Sequence, residues 1–297
     1  MQRHIGELAA LGTALCWSLG SLVFTRAGRR IGTLPLNVIR LILALTFASV
    51  AAALAYGRPL PSDADAERWL WLGLSGFFGF FLGDLCQFRA FVEVGPRLTL
   101  LLMALAPPMT ALIEWGLFGQ GLAPLALGGM ALTLLGVGWV LVERTGVTAP
   151  RPAVQTRGVL LGLGGALGQA IGLVLSRRGM EGYPPFAGAQ VRMIAGLACF
   201  LVLCAALRAW PRVLAGLRDR AGMGYAALGA ALGPFLGVSL ALFALQHTSA
   251  GIAASLLSTS PILVIPLAWW LEGERASPRA AFGAVVAVVG VALLFAG

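Results

Sequence analysis

The chain has no lysine, and charged residues make up only 11% of its 297 positions. A soluble domain carries about 25%. With 59% hydrophobic residues there is too little polar material to coat a soluble core. Soluble enzymes, nucleic-acid binders and disordered chains are therefore poor fits. Histidine is scarce as well, with two residues, His4 and His247. Cysteine is limited to Cys16, Cys86, Cys199 and Cys204, all inside apolar runs and without metal-ligand spacing. They read as small packing residues, and neither a metal nor a cofactor is expected.

What the chain does have is long apolar runs and a mean hydropathy of +0.88. One membrane-spanning helix uses roughly 20 apolar residues. Apolar runs between charged or proline-rich breaks give ten spans: 5–24, 34–56, 69–91, 97–118, 122–142, 157–176, 186–207, 222–245, 250–271 and 278–296. The first run is too long for a signal peptide and reads as a retained span. The expected fold is an all-α polytopic membrane protein.

The net charge of +9 comes entirely from arginine on the basic side. A pI near 10.9 would suggest nucleic acid in a soluble protein. Here the arginines sit singly or in pairs between apolar runs, so the expected partner is the lipid bilayer and not nucleic acid. Arg3, Arg58, Arg68, Arg177 and Arg178 lie on the side of the termini. Apart from Arg40 and Arg192, all the others lie on the opposite side. The positive-inside rule therefore puts both termini outside the cytoplasm. A C-terminal reporter that works only in the cytoplasm is expected to be silent; strong activity would reverse the assignment.

An internal repeat organises the ten spans. A shift of 152 lays Gly6, Gly12, Gly20, Arg26 and Arg40 on Gly158, Gly164, Gly172, Arg178 and Arg192. A shift of 154 lays Gly79, Gly83, Pro107, Trp115 and Gly136 on Gly233, Gly237, Pro261, Trp269 and Gly290. The expected division is a first repeat over 1–145, a linker over 146–156 and a second repeat over 157–297. Five spans per half is an odd number, so the second half enters the membrane inverted. Secondary transporters use this architecture for alternating access, with the solute near the midplane.

Candidate site residues follow from depth and polarity. Trp17 and Gln169 are repeat equivalents near mid-membrane, expected to face each other across the pseudo-two-fold axis. Ser18, Ser21, Asp84, Gln87, Ser239, Ser255, Ser258 and Thr259 would complete the cavity lining. Asp84 is the deepest carboxylate, with Arg89 or Arg97 as candidate partners. Arg40 and Arg192 are expected to brace helices or snorkel to the interface. Pro107 and Pro261 are matched kinks and candidate hinges. The four-residue glycine spacings, as at Gly164, Gly168 and Gly172, read as helix-packing grooves.

An intramembrane protease is the competing class. Gly73-Leu74-Ser75-Gly76 fits a rhomboid-like serine motif, but neither histidine lies at a convincing depth to act as base. Gly83-Asp84 lacks a second buried aspartate for a dyad. A receptor or structural role gives no reason for the inverted repeat. The chain is not expected to be an enzyme.

The segment Thr248-Ser249-Ala250-Gly251, then Ala254-Ser255-Leu256-Leu257, Ser260-Pro261 and Trp269-Trp270-Leu271-Glu272-Gly273-Glu274-Arg275 resembles the penultimate-helix motif of EamA-type proteins of the drug/metabolite transporter superfamily. Gly283, Gly290, Trp17 after Cys16, and Arg40 before Ala44 fit the same pattern. The first-half copy departs from it, with Gly119-Gln120 in place of Gly-Glu-Arg. The resemblance implies ten helices and a cavity lined by spans one, three, four, six, eight and nine. It also implies export of small metabolites, with amino acids first and sugars, nucleosides or drugs as alternatives. The expected setting is a bacterial inner membrane, as a monomer with a dimer as the alternative. Small relatives that expel lipophilic cations use a membrane-embedded Glu in their first helix. Here Glu7 lies too near the end of span one, which disfavours that chemistry.

Overall fold

The computed structural model describes residues 4–119, 123–146, 152–248, 250–273 and 277–296. Ten helices among them are long and apolar enough to cross a membrane. Span one is Ile5–Ile31, span two Thr33–Tyr56, span five Pro124–Gly146, span six Pro152–Gly179, span seven Pro185–Ala206 and span ten Pro278–Ala296. Spans three, Ala66–Glu93, and eight, Arg220–His247, each contain a π-helical turn: Phe77–Gly83 in span three and Ala231–Gly237 in span eight. Spans four and nine are each broken in two: Gly95–Met103 with Ala106–Phe118, and Ala250–Leu257 with Ser260–Glu272.

Span one runs seven residues past its expected end at Phe24. Its polar last turns have partners, so the helix need not stop where the apolar run does. Arg26 donates to the Leu271 carbonyl at 2.7 Å, and Arg30 to Asp219 at 2.7 Å. That bond holds the Asp219 carboxyl below the usual carboxylate range. The helix ends at Gly32, whose φ of 88° suits glycine. Span six likewise begins at Pro152, inside the expected linker, of which residues 147–151 lie outside the described residues. The polar break 208–221 hides a short amphipathic helix, Trp210–Arg218, which buries Val213 and Gly216 toward span two.

In lipid there is no hydrophobic force between helices, so small residues that admit close backbones decide the packing. Spans five and ten cross where a Cβ on Gly129 would come 2.6 Å from the Gly290 carbonyl, and one on Gly136 would come 2.7 Å from that of Gly283. The 154-residue shift maps these two contacts onto each other. Span six lies on span three in the same manner. A Cβ on Gly168 would come 2.6 Å from Gly83 Cα, and one on Gly172 would come 2.9 Å from Gly79 Cα. The related contact, span one on span eight, brings Gly20 against Gly233. Span four packs on six as nine packs on one, and two packs on seven. The halves therefore interdigitate as an inverted repeat, these span-on-span contacts between the halves each having a related copy or being their own.

Candidate functional site

The matched π-turns are the local feature from which the site is built. A π-turn widens the helix and leaves backbone groups out of register, and such turns are frequent at functional sites. Pro234, inside the second of them, removes a backbone donor. The two turns differ by the same 154 residues as the rest of that part of the repeat. The glycine spacing shared by the two segments was legible in the sequence; the π geometry was not, because a helical apolar pattern survives one widened turn.

Asp84 follows the first π-turn directly and is 4% exposed. Its partner is Arg40 of span two, also 4% exposed, with Arg40 Nη2 donating to Asp84 Oδ2. Arg40 Nε donates to Asn37 at 3.0 Å, and its guanidinium lies over the Phe88 ring at 4.2 Å. The other Asp84 oxygen accepts from Gln169 Nε2 of span six at 3.0 Å. Arg192 of span seven stacks over Phe80 at 5.1 Å, and its charge acts on Asp84.

These contacts favour bracing over snorkelling for Arg40 and correct one expected partner of Asp84. Arg40 does not snorkel: a buried carboxylate and a buried amide hold it inside the bundle. Asp84 does not pair with Arg89, which bonds Glu93 one turn along its own helix at 2.6 Å. Sequence spacing pointed to neighbours on one helix, whereas the partner comes from another span.

Trp17 and Gln169 are each seated against the π-turn of the opposite half. A Cβ on Gly237 would lie 2.5 Å from Trp17 Nε1, and one on Gly83 would lie 3.3 Å from the Gln169 backbone nitrogen. Trp17 is 37% exposed. Gln87 packs beside Gly165. Ser18 and Ser21 do not line open space. Ser18 is fully buried and donates to Ala14 O at 2.7 Å and to Ser260 O at 3.0 Å. Ser21 bonds the Ser18 carbonyl. Ser18 thereby serves a carbonyl at the break in span nine, a need that hydrocarbon cannot meet. Ser239, Ser258 and Thr259 each bond a backbone carbonyl of their own span, and Ser255 is half-buried.

The breaks in spans four and nine fall at Ala104–Leu105 and Ser258–Thr259, just ahead of Pro107 and Pro261. Each proline sits at the start of the following helix segment, where its missing N–H is not needed. Pro261 also borders a pocket with Arg97, Leu101 and Ala284 between spans four, five, nine and ten. None of Arg40, Asp84, Gln169 and Arg192 lines that pocket.

Two ion pairs join the halves at their ends. Arg26 at the end of span one lies 3.5 Å from Glu272 at the end of span nine. Arg177 at the end of span six lies 2.5 Å from Glu114 near the end of span four. Spans one and nine run in one direction and spans four and six in the other, so the pairs sit at opposite faces of the bundle. Ser75, of the protease-like motif, is fully buried and donates to the Gly172 carbonyl at 2.5 Å. His247 stacks on Phe243 and His4 lies beside Glu7, each near its own helix.

Gly119 and Gly273 cap the ends of spans four and nine in the left-handed conformation, with φ of 64° and 69°. The glycine of the Gly-Glu-Arg signature thus has the same backbone duty in both halves. Gln120, Ser249, Glu274 and Arg275 lie outside the described residues.

A search of curated proteins finds no match. A solved crystal structure, titled only as that of a protein, aligns over 98% of this chain and 96% of its own, with a TM-score of 0.59 at 21% identity. At that identity the likeness speaks to the fold alone. The model of the EamA-like transporter family matches twice, over residues 4–142 and 156–296. The two matches fall on the two five-span halves, and the chain belongs to the EamA-like transporter family, within the drug/metabolite transporter superfamily.

Proposed function

We propose that the protein exports small polar metabolites, amino acids first among them, across a bacterial inner membrane by alternating access. The observation that carries the mechanism is the pair of inter-half ion pairs, Arg26–Glu272 and Arg177–Glu114, at opposite faces. An inverted repeat that opens one face at a time needs one fastening at each. The sequence resemblance supports amino acids as the first solute class; sugars, nucleosides and drugs are the alternatives. Uptake of labelled amino acids, sugars and nucleosides into proteoliposomes tests the assignment. Transport of nucleosides or sugars with no amino acid moved would overturn the amino-acid reading.

Unfastening one face should bias the protein toward opening there. Glu272→Gln and Glu114→Gln are therefore expected to act in opposite senses. The readout is labelling of a cysteine at position 17 by an impermeant thiol reagent added from one side, with the four native cysteines replaced. One variant should raise the rate and the other lower it, each by about threefold, in keeping with partly exposed ion pairs worth up to about 1 kcal/mol. Equal changes in both would remove the fastening role.

Pro107 and Pro261 are the proposed hinges. Alanine at 261 lets span nine continue across its break, and span four needs alanine at 107 and 108 together, because Pro108 alone would still lack a donor and crowd the preceding turn. Turnover is expected to fall about tenfold, equivalent to about 1.4 kcal/mol on the barrier, while solute affinity changes little. Unchanged turnover in both variants, with protein folded and inserted, would reduce the breaks to static features.

A further inference from the structure

Arg40 and Arg192 are repeat equivalents, yet the two halves equip them differently. Arg40 has Asp84 for its charge and Asn37 for its Nε. The residues at the corresponding second-half positions are Val238 and Ala189. Neither can supply a carboxylate or an amide. Arg192 instead reaches across to span three. Its guanidinium lies over Phe80, its Nη2 would be 3.3 Å from a Cβ on Gly79, and its charge acts on an Asp84 already bonded to Arg40 and Gln169. Its Nε is buried with no hydrogen-bond partner.

The cluster therefore holds two guanidinium groups and one carboxylate inside the bundle. An uncompensated charge in the membrane interior is expensive and marks a functional site by default. An anion with a flat pair of acceptors is the shape a guanidinium fork takes best. Glycine at position 79 keeps the approach bare. The same absent side chain would lie 3.7 Å from Gln169 Oε1, an acceptor for a neighbouring ammonium.

We infer that Arg192 is the anchor for a carboxylate on the transported solute, with the amide oxygen of Gln169 beside it to receive an amino group. This rests on the reading of the protein as a metabolite exporter and names the group it recognises.

The test measures binding to purified protein in lipid nanodiscs, using three matched series. L-alanine, L-leucine and L-phenylalanine are each compared with their amides and with propanoate, 4-methylpentanoate and 3-phenylpropanoate. In at least one series the acid is expected to bind at least about tenfold tighter than its amide, as loss of one partner from a buried charge pair predicts. Arg192→Gln should erase that ratio, and Arg192→Lys should keep only part of it. If Arg192→Gln does not fold, the lysine variant decides, since it retains the charge but loses the fork. An acid-to-amide ratio unchanged in the lysine variant would then overturn the inference. Equal binding of acid and amide by the wild type, an acid preference that survives Arg192→Gln, or displacement of the acids by equimolar sodium chloride would also overturn it. Binding of the des-amino acids alone, lost with Arg192, would support the anchor while refuting the amino-acid reading. Amino-acid transport with no acid preference would do the reverse.

Discussion

Asp84→Ala is expected to destabilise the protein by about 3–5 kcal/mol, the range found when one partner of a buried ion pair is removed. The substitution leaves Arg40, 4% exposed, without its carboxylate, and leaves the Gln169 amide without one acceptor. Asp84→Asn should cost less, because an amide oxygen still accepts from Arg40. The double variant Arg40→Leu with Asp84→Leu should be more stable than Asp84→Ala or Arg40→Ala, since the hydrogen-bonded pair is then removed whole and only the more distant Arg192 loses a carboxylate neighbour. Chemical or thermal unfolding of the purified protein in one detergent measures all of these. A wild-type midpoint for Asp84→Ala would mean that the pair holds nothing together.

This cluster also marks the limit of sequence reading. The depth of Asp84 and the equivalence of Arg40 with Arg192 were legible from helix length and repeat offset. Their convergence was not, because it depends on which spans touch, and a periodic apolar pattern does not encode neighbours. The serines show the opposite failure. Ser18 and Ser21 fall midway along span one, but position along a helix alone does not tell a hydroxyl facing a cavity from one serving a carbonyl. Ser18 bonds the carbonyl of Ser260 because span nine is broken there. The helix ends were misread for a related reason: span one continues past Phe24 because Arg26 and Arg30 find partners on other segments. By contrast, Pro107 and Pro261 carried their own signal. Proline acts on its own helix, so the two breaks were visible without knowledge of the packing.

The same distinction governs the crossing of spans five and ten. Gly136→Ala and Gly290→Ala are expected to lower stability by at least the 1–3 kcal/mol of ordinary overpacking. The added methyl group would meet backbone, which cannot rotate away. At Gly136 it would come 2.7 Å from the Gly283 carbonyl. At Gly290 it would come 2.6 Å from the Gly129 carbonyl and 2.5 Å from Thr133 Oγ1. Thr133 and Ala287, themselves repeat equivalents, lie between these contacts, with the Thr133 hydroxyl 3.4 Å from the Ala287 carbonyl. The pseudo-two-fold axis therefore passes through this crossing. Gly138 supplies the control. It lies two residues from Gly136 on the same helix, and a Cβ there meets nothing within 4 Å. Gly138→Ala should be neutral or stabilising by up to about 1 kcal/mol, the helix preference for alanine over glycine. Unfolding midpoints of the three variants under one condition are the measurement. Destabilisation at 136 and 290 but not at 138 would place a close approach of the two halves at these glycines. Equal tolerance at all three would mean that spans five and ten do not cross on these glycines, and that the axis lies elsewhere.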